Sequence, residues 1–201
     1  MKNIRKKYHH GDLRSALLRG AVAIIAREGV ENLSLRSLAK GCGVSQTAPY
    51  RHFEDKNALL AALAEEGFVE LAAAMTKARG MARDEADALK QIGKAYIQWG
   101  MKYPEKYRLM FSSGISNRCS YEPLNRAGEA AYKALLDVVE NAIARGMFRD
   151  LDPLMLSNTA WAMVHGLATL SVDRFSDQCG GDWMQGQIDF ALNQMVKGFL
   201  A

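Results

Sequence analysis

The spacing richest in chemical consequence lies between Leu33 and Lys56. Ala39 falls where two short helices would press together and only a small side chain fits, Gly43 four residues on supplies a tight turn, and Leu35 and Val44 fill the wedge. The helix that follows is then held out from the body. Its exposed early residues can reach base edges in a DNA major groove while basic neighbours hold phosphates. The chemistry on offer is recognition of a polyanion, with no bond broken.

Bond-breaking chemistry finds less support. His165 is the best candidate base, with Asp173 two turns later on nearly the same face, but no nucleophile, metal cluster or glycine loop accompanies them. Cys42, Cys119 and Cys179 are odd in number and widely spaced, which points to a reducing cytoplasm without structural zinc. No neighbouring cation in the sequence obviously lowers a thiol pKa for oxidant sensing. Neither a metal nor a cofactor is expected. Trp99, Tyr103, Tyr107, Met110, Phe111 and Trp161 could line an apolar small-molecule pocket or could simply pack a core. His165 is either a hydrogen-bonded core histidine or a ligand contact and proton sensor.

Charge separates the chain into two parts. Residues 1–56 hold 11 Lys/Arg against 5 Asp/Glu, whereas the remaining 145 residues hold 15 against 17. Such asymmetry suggests a basic module for a polyanion joined to a module with another job. A membrane surface would ask for Trp or Phe opposite the basic face, and the first 50 residues contain neither. The arm Arg5-Lys6-Lys7 either reaches into a groove or is a solvated terminus.

The elements that must position these residues are all helical. With 201 residues, 49% hydrophobic and 24% charged, the chain has the profile of a globular protein with a sizeable core. Asp12 is a good N-cap for a first helix, whose apolar stripe Leu13, Leu17, Ala21, Ile24 and Ile25 ends at Gly29. A second helix starts at Ser34 and stops at Gly41 to Gly43. Ser45 can cap a third, Gln46 to Phe53, in which Pro49 forfeits one backbone bond near the start. A long helix runs from Lys56 to about Gly80, and others from about 86 to 103, 104 to 111, 124 to 145, 153 to 175 and 183 to 200. The segment Ser112 to Glu122 looks the least ordered. Leu154 to Val172 carries no Asp, Glu, Lys or Arg, but Ser157, Asn158, Thr159 and His165 interrupt it, so a helix buried in protein is expected rather than a membrane span. The first residues are basic without an apolar stretch behind them, and no signal peptide is expected.

The run from Leu33 to Lys56, with Gly43-Val44-Ser45 ahead of the Tyr-x-x-Phe-x-x-Lys frame of Tyr50, Phe53 and Lys56, resembles the DNA-binding motif of the TetR family of bacterial transcription regulators. The resemblance covers about residues 10 to 65. It implies that Ser34, Tyr50, His52 and Lys56 grip phosphates and that Gln46, Thr47 and Ala48 face bases, with Ser45, Arg36 and Arg51 as additional contacts. The stretch Gln46-Thr47-Ala48-Pro49 departs from the family's commoner Gly-Thr-aliphatic pattern. Trp161-Ala162-Met163-Val164-His165-Gly166 is similar to the Trp-x-x-x-His-Gly signature of one C-terminal subclass.

Together these features predict an all-α protein, with a helix-turn-helix domain over 1–56 and a C-terminal ligand-binding and dimerisation bundle over 57–201. The expected function is that of a homodimeric regulator, a repressor released from a palindromic operator in double-stranded DNA by an apolar or aromatic effector. The last two helices would form the dimer. An all-helical enzyme with a basic appendage, and an architectural DNA binder without ligand, are the alternatives.

Overall fold

Caps and glycines set the helix limits. The computed structural model describes residues 10–112, 114–173 and 181–201, and among them every regular element is helical apart from an isolated bridge between Phe148 and Leu200. Helix α1 (His10–Glu28) contains Asp12 rather than starting after it, and stops where Gly29 turns to φ 83°. Helix α2 (Leu35–Gly41) opens on a reciprocal cap in which Ser34 and Ser37 each satisfy the other's backbone N–H. Gly43, at φ 66°, makes the sharp turn that an L side chain would resist.

The third element is not the α-helix that the spacing predicts. Turns over 46–48 lead into a single 3-10 turn, Pro49–Arg51. Pro49 has no N–H to give to the Ser45 carbonyl, so that carbonyl accepts from Ala48 N instead, at 3.0 Å, and the tighter spiral continues through His52 N to Pro49 O at 2.9 Å. The Ser45 hydroxyl lies 3.3 Å from that of Thr47.

Asp55 then caps the long α3 (Lys56–Arg79) through Ala58 N. There follow α4 (Glu85–Lys102), α5 (Pro104–Phe111), α6 (Glu122–Ala144), α7 (Pro153–Val172) and α8 (Gly181–Phe199). Asp152 caps α7 ahead of Pro153, as the Asp-Pro pair predicts. The core is continuous from Leu17 and Leu38 at one end to Leu192 and Phe199 at the other, with α3 packed on α4, α5 and α6, and α4 on α7 and α8. Among the described residues no helix is long and apolar enough to cross a membrane.

The segment after α5 is tied down more firmly than its composition suggests. Asn57, in the first turn of α3, donates to Ser116 O at 2.8 Å and to the Tyr121 hydroxyl at 2.9 Å, and accepts from Ser116 N at 2.9 Å.

Candidate nucleic-acid interface and ligand cavity

The Pro49 turn presents a polar edge. Ser45, Gln46, Thr47, Tyr50 and Arg51 are exposed, Tyr50 at 50%, and Ser34 and Arg36 are exposed on the neighbouring α2. Ala48, expected beside them at the bases, is turned inward with 9% exposure, next to the buried Pro49. His52 and Lys56 are half-buried, and Lys56 Nζ donates to Glu31 O at 3.2 Å, which fixes its amine at the start of α3. Phe53 is buried beneath the turn, with the Arg14 guanidinium over its ring at 5.6 Å. The aromatic of the Tyr-x-x-Phe-x-x-Lys frame is thus the anchor, and Tyr50 and Lys56 flank it at the surface. Arg5, Lys6 and Lys7 lie outside the described residues, as does Cys179.

The close fit of α1 on α2 explains Gly20 and Cys42. A Cβ on Gly20 would stand 2.7 Å from Cys42 Sγ. Burial raises the Cys42 thiol above its ordinary pKa, so this thiol is less reactive than a free one.

About 20 Å along the fold's long helix, at ~1.5 Å rise per residue, α3 turns a second face to a different site. A cavity of about 450 Å³ opens between α3, α4, α5, α6 and α7. Phe68, Leu71 and Met75 come from α3, Ile92 and Tyr96 from α4, Met110 and Phe111 from α5, Ala131 and Leu135 from α6, and Trp161 and Val164 from α7. The wall is apolar and the volume falls in the range of small-molecule sites. Of the aromatic and methionine residues singled out by sequence, Met110, Phe111 and Trp161 line the wall. Trp99 and Tyr103 pack against each other, ring centroids 5.4 Å apart, and stand outside it.

Tyr107 and His165 form the layer behind the wall. The hydroxyls of Tyr96 and Tyr107 each lie 2.9 Å from His165 Nδ1, and the Tyr107 hydroxyl is also 3.1 Å from that of Thr169. The imidazole stands edge to face with Phe111 at 4.5 Å and 5.6 Å from the Trp161 ring. Burial lowers the His165 pKa and raises those of both tyrosines, so all three groups are held neutral and exchange hydrogen bonds rather than charge. Asp173 does not join His165; it pairs with Arg108 Nε at 3.1 Å. The His165–Asp173 pair is therefore not assembled. Among the described residues no cluster of three potential metal ligands occurs.

Sequence reasoning missed Tyr96, Tyr132 and Arg118, which also face the cavity. The signal for the two tyrosines was the pair of mid-helix glycines on their own helices, Gly93 and Gly128, both of which line the same space. Lys106, on α5, clasps α3 through Glu66 at 2.8 Å and Glu70 at 2.7 Å. Burial alone would favour its neutral amine, but the two carboxylates outweigh it and keep the ammonium charged.

Comparison with known proteins finds relatives for both parts of the chain. Residues 17–63 match the family described as bacterial regulatory proteins, tetR family, and residues 89–182 match the tetracyclin repressor-like C-terminal domain. The HTH-type transcriptional regulator Rv1816 of Mycobacterium tuberculosis is 27% identical over 129 residues, which are 62% of this chain and 54% of that protein. The chain thus spans about half the length of the curated relatives it matches first. The tetracycline repressor protein class C of Escherichia coli is 48% identical over 52 residues, 26% of this chain and 24% of the repressor. A structure of a protein of unknown function from Rhodococcus sp. RHA1 superposes with a TM-score of 0.82 at 32% identity, covering 98% of this chain and 100% of the other.

Proposed function

Because the chain belongs to the TetR family of bacterial regulatory proteins, we propose that it is a homodimeric, non-enzymatic repressor that a small molecule in the α3–α7 cavity releases from operator DNA. One observation carries this reading: α3 begins at the DNA-facing turn with Lys56 and, three turns on, forms the cavity wall with Phe68 and Leu71. Twelve residues separate Lys56 from Phe68, which is about 18 Å of helix. A tilt of α3 forced by an occupant displaces the Pro49 turn at its far end.

Gln46 and Thr47 face the bases in this reading, while Ser34, Tyr50, Arg51, His52 and Lys56 hold the backbone, with Arg36 and Ser45 alongside. The division at residue 56 marks where recognition gives way to ligand binding and dimerisation, although α3 belongs to both. Two copies pair through α7 and α8, whose outer faces carry Met155, Leu170 and Phe190 exposed. Gly166 and Gly186 leave room there for close approach, since a Cβ on either would meet nothing within 4 Å. Pairing sets the two recognition turns about 34–36 Å apart on a palindrome. The neutral Trp161, His165 and Gly166 signature supports the Trp-x-x-x-His-Gly subclass, and the protein works in the cytoplasm, where the operator is.

Fluorescence anisotropy of the DNA upstream of the protein's own gene, against a scrambled duplex at two salt concentrations, tests the reading. Binding about 1,000-fold tighter to the upstream DNA is the expected result. Equal, strongly salt-dependent binding to both duplexes would overturn it in favour of an architectural role.

A further inference from the structure

The cavity wall is apolar except at four places, and three of those are already committed within the protein. The Tyr96 hydroxyl is on His165, the Tyr132 hydroxyl donates to Asn158 Oδ1 at 2.7 Å, and the Ser112 hydroxyl donates to Leu109 O at 3.1 Å. Arg118 is the fourth. It opens the 3-10 turn Arg118–Ser120, behind Asn117 in the left-handed region at φ 49°. Its guanidinium lies over the Phe68 ring, 5.3 Å from the centroid, and Nη1 donates to Met110 O at 2.6 Å. Phe68 and Met110 are themselves part of the wall. A guanidinium carries five donors, and no described carboxylate forms an ion pair with this one.

A neutral occupant filling this space strips water from the cation and returns nothing to it, which is the costly way to bury a charge. A cationic occupant adds repulsion. A carboxylate accepts two parallel bonds from the planar fork and neutralises it. Lys106, on α5, is not part of the wall and is already neutralised by Glu66 and Glu70, so the wall supplies one positive charge. That matches a monoanion better than a phosphate dianion.

We infer that the ligand of this cavity is an organic acid, an apolar aliphatic or aromatic body bearing one carboxylate, with Arg118 as its counter-ion. The binding claim stands on the cavity alone; its consequence at DNA rests on the repressor reading above.

Two matched pairs of probes test it: decanoate with decanol, and 2-naphthoate with 2-naphthol. Each is titrated calorimetrically into the full chain, and each is then added to the protein–operator complex in the anisotropy assay. At least one acid binds about tenfold or more tightly than its alcohol. In Arg118→Met that gap closes towards unity while the alcohol keeps its affinity, and Arg118→Lys retains a preference for the acid. The absence of a gap in the wild type, a gap that survives in Arg118→Met, or no binding by either acid overturns the inference. Alcohols that release DNA as well as the acids do would sink the acid assignment and leave the repressor intact. Acids that show the Arg118-dependent gap yet never release DNA would sink the repressor and leave the assignment intact.

Discussion

Replacing Gly128 with alanine should stabilise the protein, because the residue stands in mid-α6 facing the cavity. A Cβ there would lie 3.9–4.0 Å from the Phe68 ring, an ordinary contact distance. Helix propensity contributes about 0.8–1.0 kcal/mol for Gly→Ala in a helix interior. Partial burial of one methyl group adds up to about 0.8 kcal/mol, so the gain is about 1–2 kcal/mol in total. For a chain of this size that raises Tm by roughly 2–8 °C. Gly93, on α4, is the contrasting case: its Cβ would stand 2.8 Å from Leu192 Cδ2 and 3.3 Å from Val164 Cγ2, with Leu192 fully buried. Overpacking of about 1–3 kcal/mol there offsets or exceeds the same propensity gain. Urea unfolding of Gly128→Ala and Gly93→Ala, side by side with the wild type, measures both. Equal shifts for the two variants, or a loss at Gly128, would refute the open wall. Gly128→Leu extends the test to function, since it should abolish ligand binding while leaving operator affinity in place.

Other perturbations separate the parts of the molecule. Lys56→Ala should weaken binding to all duplexes and lower the slope of log K against log salt by about 0.9 for each protomer bound; an unchanged slope in the salt titration removes Lys56 from the phosphate contacts. Thr47→Ala should alter preference among operator variants more than overall affinity, and a uniform loss across a panel of sites reassigns it to the backbone. Phe190→Asp, at a side chain 60% exposed in the single chain, should convert dimer to monomer in sedimentation velocity without lowering the helical content seen by circular dichroism; a persistent dimer rejects the α7–α8 face. His165 has a folded-state pKa below its ordinary value of 6.5. Protons therefore bind the unfolded chain first, and the stability present above about pH 6.5 falls as pH drops from there through the folded pKa. His165→Gln should flatten the pH dependence of urea midpoints in that window, and a profile unchanged by the substitution would assign the loss to other groups.

Much of the architecture was legible because local chemistry marks the boundaries. Ser34, Asp55 and Asp152 cap helices, and Gly29 and Gly43 take the left-handed conformations that end them. The 46–53 segment was misread because the donor missing at Pro49 was counted as one forfeited bond in an otherwise regular helix, whereas it tightens the whole turn. It also reorients Ala48, which is why a residue aligned with base contacts is buried. The cavity was legible only in part. Periodicity marks a side chain as inward, as for Trp99 and Tyr107, but whether inward means core or void depends on how five helices are spaced. Arg118 was beyond reach, since it lies in a short turn between helices and its place in the wall comes from the path of that turn.

That path also joins the two sites. Ser116, two residues before Arg118, exchanges a reciprocal pair of hydrogen bonds with the Asn57 amide, and Asn57 is adjacent to Lys56 at the foot of α3. In the proposed reading a ligand acts on α3 at two points. Its apolar body presses on Phe68 and Leu71, while its head, on Arg118, loads the segment that clasps the first turn of the same helix. In this reading the clasp makes α3 a lever held at its foot as well as at the cavity wall, so that displacement at the cavity is passed on to Lys56 and the Pro49 turn. Only about 1–3 kcal/mol of difference between the two arrangements is required, enough to change operator affinity roughly 5- to 150-fold. Three hydrogen bonds at Asn57 and two ion pairs at Lys106 contribute energies of that order, and both clasps bind α3 to neighbouring segments that the cavity touches.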